Sequence, residues 1–285
     1  MASAIAVCNQ KGGVGKTTTA VNLGACLAIS GKRTLLVDLD PQGSATVSSC
    51  AERIRLTKTI YDVLVDGMPA EEAILATQID RLSLLPSTLD LAKAELRLAQ
   101  STEPEAQLRK LRETLGVRYD TMIFDCPPSL GVLTSNALVA ADDVLIPVQC
   151  EYLALEGLHA LVKAIDLVRS RLNPAIQIGG IILTMTDFRS NLAREVAEEV
   201  KRFFPGRVFE TTIPRNVRLA ESPSFGKPVC LYDPHSTGSV AYQLLAKEVT
   251  KKVLDKYSPV HADIPTETSE QTAAQSNAVE RISGG

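Results

Sequence analysis

The segment Asn9-Gln10-Lys11-Gly12-Gly13-Val14-Gly15-Lys16-Thr17-Thr18 separates an apolar run at residues 4–8 from an alanine- and leucine-rich stretch at 17–30. Three glycines within four positions let the backbone turn tightly and aim several N–H groups at one anion. A helix starting near Thr17 adds the positive end of its dipole at the same place. The general phosphate-loop pattern is G-x-x-x-x-G-K-[ST], set between a strand and a helix. Gln10 stands at the first glycine position, and the residues from Lys11 to Thr17 satisfy the rest. Lys16 is expected to reach the β- and γ-phosphates of a nucleotide, and Thr17 to place its hydroxyl on Mg²⁺.

Short apolar runs alternate with helical patterns along the chain, the sign of a parallel sheet with helices on both faces. Strands are expected at 4–8, 34–38, 82–86, 121–125, 143–148 and 178–184. Most are near-continuous apolar runs, as strands buried on both faces require. Helices are expected at about 17–30, 89–99, 103–115, 155–172, 192–203 and 239–256. In the last of these Val240, Leu244, Leu245, Val249 and Val253 recur at helical spacing. Ligands of open α/β sheets bind beyond the carboxyl ends of strands. Asp38 and Asp40 end the second strand and Asp125 ends a later one, so three carboxylates converge on the glycine loop. Magnesium often meets only one or two carboxylates and keeps several waters. Asp125 is expected to contact Mg²⁺ through water, Asp38 to support the metal shell, and Asp40 to orient or deprotonate an attacking water. The plain alternative, a strand-end aspartate that caps a helix, applies more to Asp38 than to Asp125.

With 285 residues, 45% of them hydrophobic and 22% charged, the chain suits one large α/β domain or at most two small ones. No stretch approaches the ~20 apolar residues of a spanning helix. The first residues lack a basic segment and a cleavage site, so they are expected to form a strand and not a signal peptide. The cysteines (Cys8, Cys26, Cys50, Cys126, Cys150 and Cys230) include no C-x-x-C pair. That spacing gives neither a disulfide framework nor a zinc site, and small buried thiols in a reducing cytosol are expected. Cys126 stands apart because it follows Asp125. The net charge is −3, yet residues 185–256 carry 12 Lys/Arg against 9 Asp/Glu. Residues 257–285 carry one Arg against four acids. A nucleotide-binding domain is expected over 1–257, and a disordered acidic, polar tail over 258–285.

Beyond these generic features, Lys11 with Gly12-Gly13-Val14-Gly15-Lys16-Thr17-Thr18 resembles the deviant Walker A motif of the ParA/MinD ATPases. Val37-Asp38-Leu39-Asp40-Pro41-Gln42 resembles their second signature, and Phe124-Asp125-Cys126-Pro127-Pro128 their Walker B motif. The likeness continues through Ile213-Pro214-Arg215-Asn216-Val217-Arg218-Leu219-Ala220-Glu221-Ser222-Pro223 and Gly226-Lys227-Pro228. It spans about residues 3–256 and is nearest to the Soj-like branch of ParA proteins. The resemblance implies a P-loop NTPase three-layer sandwich with a central, mainly parallel twisted sheet. It implies ATP and Mg²⁺ as ligands, ATP hydrolysis, and a homodimer that forms with ATP. In that dimer Lys11 reaches the partner's nucleotide, where its charge offsets the repulsion between facing γ-phosphates and acts as an arginine finger does. Pro214 and Asn216 match the segment that holds adenine, an asparagine amide being able to pair with a purine edge. The nucleotide-binding set is therefore Lys11, Gly12, Gly13, Val14, Gly15, Lys16, Thr17, Thr18, Pro214 and Asn216.

Members of the family use the ATP dimer to bind a surface, DNA or membrane, and an accessory protein resets it. Membrane binding calls for a terminal amphipathic helix with bulky apolar residues and lysines. The acidic tail offers none, so no membrane contact is expected. A MinD-like membrane-associated division-site regulator and a ParA-like positioning ATPase for another cargo stand as alternatives. Arg189 and Arg218 occupy positions resembling those that ParA relatives use on DNA, with Lys201, Lys227, Lys247, Lys251 and Lys252 in the same basic third. Such contacts go to phosphates and need no base readout. The absence of Trp argues against a base-stacking single-strand binder. Because the loop begins at residue 9, no helix-turn-helix unit is expected ahead of it. The implied protein is a cytoplasmic, nucleoid-associated partition ATPase that works with non-specific double-stranded DNA and a ParB-like partner. Lys16→Ala is expected to abolish nucleotide binding, measured by titration with a fluorescent ATP analogue; wild-type affinity would remove the phosphate assignment.

Overall fold

The computed structural model describes residues 2–50, 56–151 and 154–257. The expected tail at 258–285 lies outside the described residues. The strands are β1 (Ser3–Val7), β2 (Thr34–Asp38), β3 (Leu75–Ala76), β4 (Leu82–Leu85), β5 (Thr121–Asp125), β6 (Asp143–Gln149) and β7 (Gln177–Thr184). The first half of the chain supplies helices α1 (Lys16–Ile29), α2 (Ser44–Ser49), α3 (Ile60–Val65), α4 (Ala94–Leu98), α5 (Gln107–Leu115) and α6 (Val132–Ala140). The second half supplies α7 (Ala154–Arg171), α8 (Asn191–Phe203), α9 (Val217–Glu221), α10 (Val229–Tyr232) and α11 (Thr237–Val249).

Every residue of β1, β2 and β5 is buried, so neither sheet face meets water at the centre. Alternation assigns Ala4, Ala6 and Cys8 to one face and Ile5 and Val7 to the other. The first face packs under α3 to α8, and the second under α1 and α11. Each fully buried Leu or Ile contributes about 1.5–3 kcal/mol to this three-layer packing. The sheet order is β3-β4-β2-β5-β1-β6-β7, parallel except for the pairing of β3 with β4. From β1 the chain crosses β5 to reach β2, and from β5 it crosses β1 to reach β6. The two connections therefore leave adjacent strands toward opposite edges. Where they part, beyond the carboxyl ends of β1 and β5, lies the switch point at which open α/β sheets bind ligands.

All six expected strands form, with bounds within a residue or two. The two-residue β3 is an addition that covers the β4 edge. The helix expected at 89–99 divides into a 3₁₀ turn, Leu89–Lys93, followed by α4. The last helix ends its regular turns at Val249, passes through a π-turn, Thr250–Leu254, and finishes at Tyr257. There Lys256 Nζ and Tyr257 OH donate to Asp143 at 2.8 and 2.9 Å. Helix α6 carries no amphipathic signal because its residues from Leu133 to Ala140 are nearly all buried.

Asn136, fully buried in α6, organises the neighbouring helix. Its Oδ1 accepts from the Gln107 and Leu108 amides at 3.0 and 3.3 Å, covering donors at the start of α5. Its Nδ2 donates to the carbonyls of Pro104 and Val132 at 2.6 and 2.9 Å. Asn136→Ala strands these groups and is expected to lower unfolding stability by about 2–4 kcal/mol in urea titration, with nucleotide affinity of the folded protein unchanged.

Candidate functional site

The glycine loop is anchored at both ends before any ligand arrives. The Asn9 side chain donates to the Pro147 carbonyl at 2.7 Å and accepts from the Lys11 amide at 3.0 Å, pinning the loop start to β6. The Thr184 hydroxyl, at the end of β7, donates to the Val14 carbonyl at 2.8 Å. Between these anchors Gly13 and Gly15 adopt φ of +74° and +89°, conformations that favour glycine. An added Cβ at Gly12 or Gly13 meets nothing within 4 Å, so the cradle is open on that side. Gly15 caps α1 without any side-chain hydrogen bond, and no acidic residue occupies the first turn. The amide donors at the start of this long helix are thus left for an anion.

Lys16 lies 7% exposed beside the cradle, its Nζ donating to the Lys11 carbonyl at 3.0 Å. Burial lowers its proton affinity, and the negative charge of Asp125 does most to restore it. Asp125 ends β5 in register with Val7 and Asp38. It is fully buried, and neither carboxylate oxygen has a hydrogen-bond partner. Burial, then the nearby charge of Asp38, pushes its carboxyl well above the usual range; Thr17 and Lys16 act in the opposite sense. Both buried oxygens are thus free to accept hydrogen bonds from outside the chain. Among the described residues no cluster of three Asp, Glu, His or Cys side chains forms a metal cage. A cation held at Asp125 would draw its remaining ligands from a hydroxyl, water and phosphate oxygens.

The other expected aspartates are engaged differently. Asp38, buried and pushed up to about 6 by desolvation, is hydrogen-bonded on both oxygens. Its Oδ2 accepts from the amide and hydroxyl of Thr46, each at 2.7 Å, and its Oδ1 from the Asp40 amide at 3.1 Å. It shapes the turn between β2 and α2. Asp40 is half-buried, and its Oδ1 accepts from the Gln42 amide at 2.9 Å. Cys126 lies with its sulfur 3.0 Å from that of Cys8, and burial raises its thiol further from ionisation. The Lys16 charge acts in the opposite sense and is outweighed.

Lys11 leans across the loop mouth to its own chain's Glu151, Nζ to Oε2 at 3.0 Å, while Gln149 holds the other oxygen of that carboxylate. On the far side Pro214 bridges to Thr186. Asn216 caps α9, accepting from the Arg218 amide at 2.8 Å and donating to the Thr237 hydroxyl at 2.7 Å. A hollow of about 720 Å³ beside Pro214, Thr186 and Thr237 adjoins this segment. A larger cavity of about 1260 Å³ lies elsewhere, at the amino ends of β1, β2 and β5, where Ser3, Arg33 and Thr121 line it.

The expected DNA-contacting side chains do not form one patch. Lys201 sits on α8 over the first sheet face, while Lys247 on α11 lies over the second. Lys247 and Lys251 line the larger cavity, away from the loop, and Lys227 is half-buried. Lys252 pairs with Glu248 at 2.7 Å. Arg218 lies two residues beyond Asn216, and Arg189 follows the bridge of Thr186 to Pro214. Sequence reasoning missed Asn9, Thr184 and Glu151, whose partners stand about 140–170 positions away and whose only sequence signal is their place at strand ends.

An anchored glycine cradle at a helix N-terminus, a buried lysine and an unpartnered aspartate at the switch point together define a P-loop nucleotide-binding protein. A family model described as an AAA domain matches residues 2–178. The chain is 53% identical to the sporulation initiation inhibitor protein Soj of Bacillus subtilis, over 87% of this chain and 98% of that one. It is 51% identical to the chromosome partitioning protein ParA of Myxococcus xanthus, over 87% and 88% of the two chains. Among solved structures, cobyrinic acid a,c-diamide synthase from Mycobacterium smegmatis, with bound ATP analog and magnesium, is 36% identical. That match has a TM-score of 0.77 and covers 89% of this chain and 97% of that one. The chain belongs to the Soj/ParA family of P-loop ATPases.

Burial disfavours the charged form of Asp125, and an amide at this position has no charge to desolvate. Asp125→Asn is therefore expected to raise the melting temperature of the nucleotide-free protein while abolishing any magnesium dependence of nucleotide affinity. Scanning calorimetry and titration with and without Mg²⁺ check the two effects.

Proposed function

We propose that this chain is a magnesium-dependent ATPase that switches between a monomer and an ATP-bound homodimer, and that the dimer binds DNA without sequence preference. The observation that carries the ATP–magnesium reading is the pairing of an open, pre-anchored glycine cradle with the two unclaimed oxygens of Asp125. In this reading Gly12 to Thr18 cradle the phosphates, Lys16 binds the β- and γ-phosphates, and Thr17 and Asp125 hold Mg²⁺, with Asp38 fixing the turn behind them. The metal, when bound with nucleotide, offsets phosphate charge. Asp40 orients the attacking water and accepts its proton. Lys11 leaves Glu151 and reaches the nucleotide of the partner subunit. Pro214 and Asn216 contact adenine. Asn216 also caps α9, which connects the nucleotide to the segment bearing Arg218.

The likeness to a chromosome partitioning protein ParA supports segregation of a chromosome or plasmid as the task; the proposed place of action is the nucleoid, in the cytoplasm. A ParB-like partner stimulates hydrolysis and returns the dimer to monomers. Among the described residues no helix is long and apolar enough to cross a membrane. Arg189 and Arg218 are the proposed phosphate contacts, and doubling a modest patch across a dimer multiplies them.

The test is binding of the full chain to an arbitrary DNA duplex with ATP, ADP or no nucleotide, across a salt series. Binding only with ATP, weakening steeply with salt and indifferent to sequence, is expected. Asp40→Ala is expected to keep the protein on DNA by blocking turnover. ATP-driven dimers that ignore DNA in every condition would move the reading to a different surface, with liposomes tried next.

A further inference from the structure

Both arginines proposed to meet DNA phosphates already hold carboxylates. Arg189 donates from Nε and Nη2 to the two oxygens of Asp187 at 2.8 and 2.6 Å, in the forked geometry that also suits phosphate. Arg218 donates from Nη1 to Glu221 Oε2 at 2.9 Å, and its Nε lies 3.2 Å from Asp233 Oδ2. Tyr232 OH donates to the same Glu221 oxygen at 3.1 Å and steadies it. Arg189 holds Asp187 down to about 2, so this carboxylate keeps its charge at any physiological pH. The two clusters are joined through the segment proposed to hold adenine: Thr186 is bridged to Pro214, and the Asn216 side-chain oxygen accepts from the Arg218 amide.

We propose that Asp187, Glu221 and Asp233 are internal competitors for DNA phosphate, so that each arginine binds DNA by exchanging a carboxylate of its own chain for a phosphate. The inference rests on the DNA-binding reading given above and specifies how that surface is regulated. Exposed pairs of this kind are weak, each reducing affinity for an outside anion by about 1.4- to 5-fold. They act as a gain setting, and the dimer multiplies the setting because every pair occurs twice. The link to nucleotide is local. Asn216 caps α9 through its Oδ1, so a base held by the same side chain bears directly on the turn that holds Arg218 against Glu221. Exchange of partners also leaves a signature in salt dependence. A carboxylate released from its arginine gathers counterions and cancels part of the ion release from DNA, so removing it steepens the salt slope by up to about 1 per arginine.

The experiment uses the full chain with a duplex of arbitrary sequence, with ATP and without nucleotide, across a salt series. Asp187→Asn combined with Glu221→Gln removes both principal competitors and keeps the side-chain shapes. Asp66→Asn combined with Glu113→Gln makes the same change in net charge at exposed acids that carry no ion pair among the described residues. With four such pairs removed from the dimer, the first pair of substitutions is expected to raise DNA affinity about 4-fold or more over wild type, to steepen the salt slope, and to bring some binding into the nucleotide-free state. The control pair is expected to shift affinity less and to leave the slope unchanged. Equal behaviour of the two pairs, with Arg189→Ala and Arg218→Ala weakening binding, would overturn the competitor role and leave the DNA surface standing. Wild-type binding by both arginine variants would overturn the DNA surface at these residues and the competitor role with it.

Discussion

The position of β1, buried on both faces between β5 and β6, is the constraint on which the rest of the molecule depends. A parallel central strand has its carboxyl end at a fixed edge of the sheet, and the chain must leave it by a crossover helix. Here that exit is the glycine loop and α1, and the adjacent strand β5 delivers Asp125 to the same edge. Cation-seeking and anion-seeking groups are thus brought together by backbone pairing before any side chain contributes. The loop anchors from Asn9 and Thr184 then limit how far the cradle relaxes in the absence of ligand.

The electrostatics of the crevice run against stability, which marks it as a place where folding yields to chemistry. Asp125 is buried without a partner, while Lys16, its nearest opposing charge, is itself desolvated. Asp38 shows the contrasting solution, in which three hydrogen bonds accommodate a buried carboxylate. Two aspartates at the ends of adjacent strands therefore have different tasks. One supports the backbone, and the other is left open.

Much of this was readable in the sequence, and the exceptions share a cause. The loop, α1 and the six longer strands announce themselves through local patterns of glycine and continuous apolar runs. Helix α6 does not, because a helix buried on nearly all sides loses the periodicity that separates helix from strand. The engagement of Lys11 by Glu151 depends on where the end of β6 lies relative to the loop, which no local pattern encodes. The basic third of the chain is spread for a related reason, since α8 and α11 cover opposite faces of the sheet and carry Lys201 and Lys247 apart in one subunit. Asn216 shows two signals overlaid, since an asparagine before a short helix is an ordinary cap as well as a candidate base reader.

The anchoring of Lys256 and Tyr257 on Asp143 has a mechanical consequence. Asp143 is the first residue of β6, so the described chain finishes at the amino ends of the strands, the pole opposite the glycine loop. Any pull on residues beyond 257 is received first by a lysine–tyrosine clasp on one carboxylate and then by the sheet along its strands. A cargo, fluorescent reporter or surface tether attached there would load the molecule from below, with the nucleotide crevice at the opposite end of the lever.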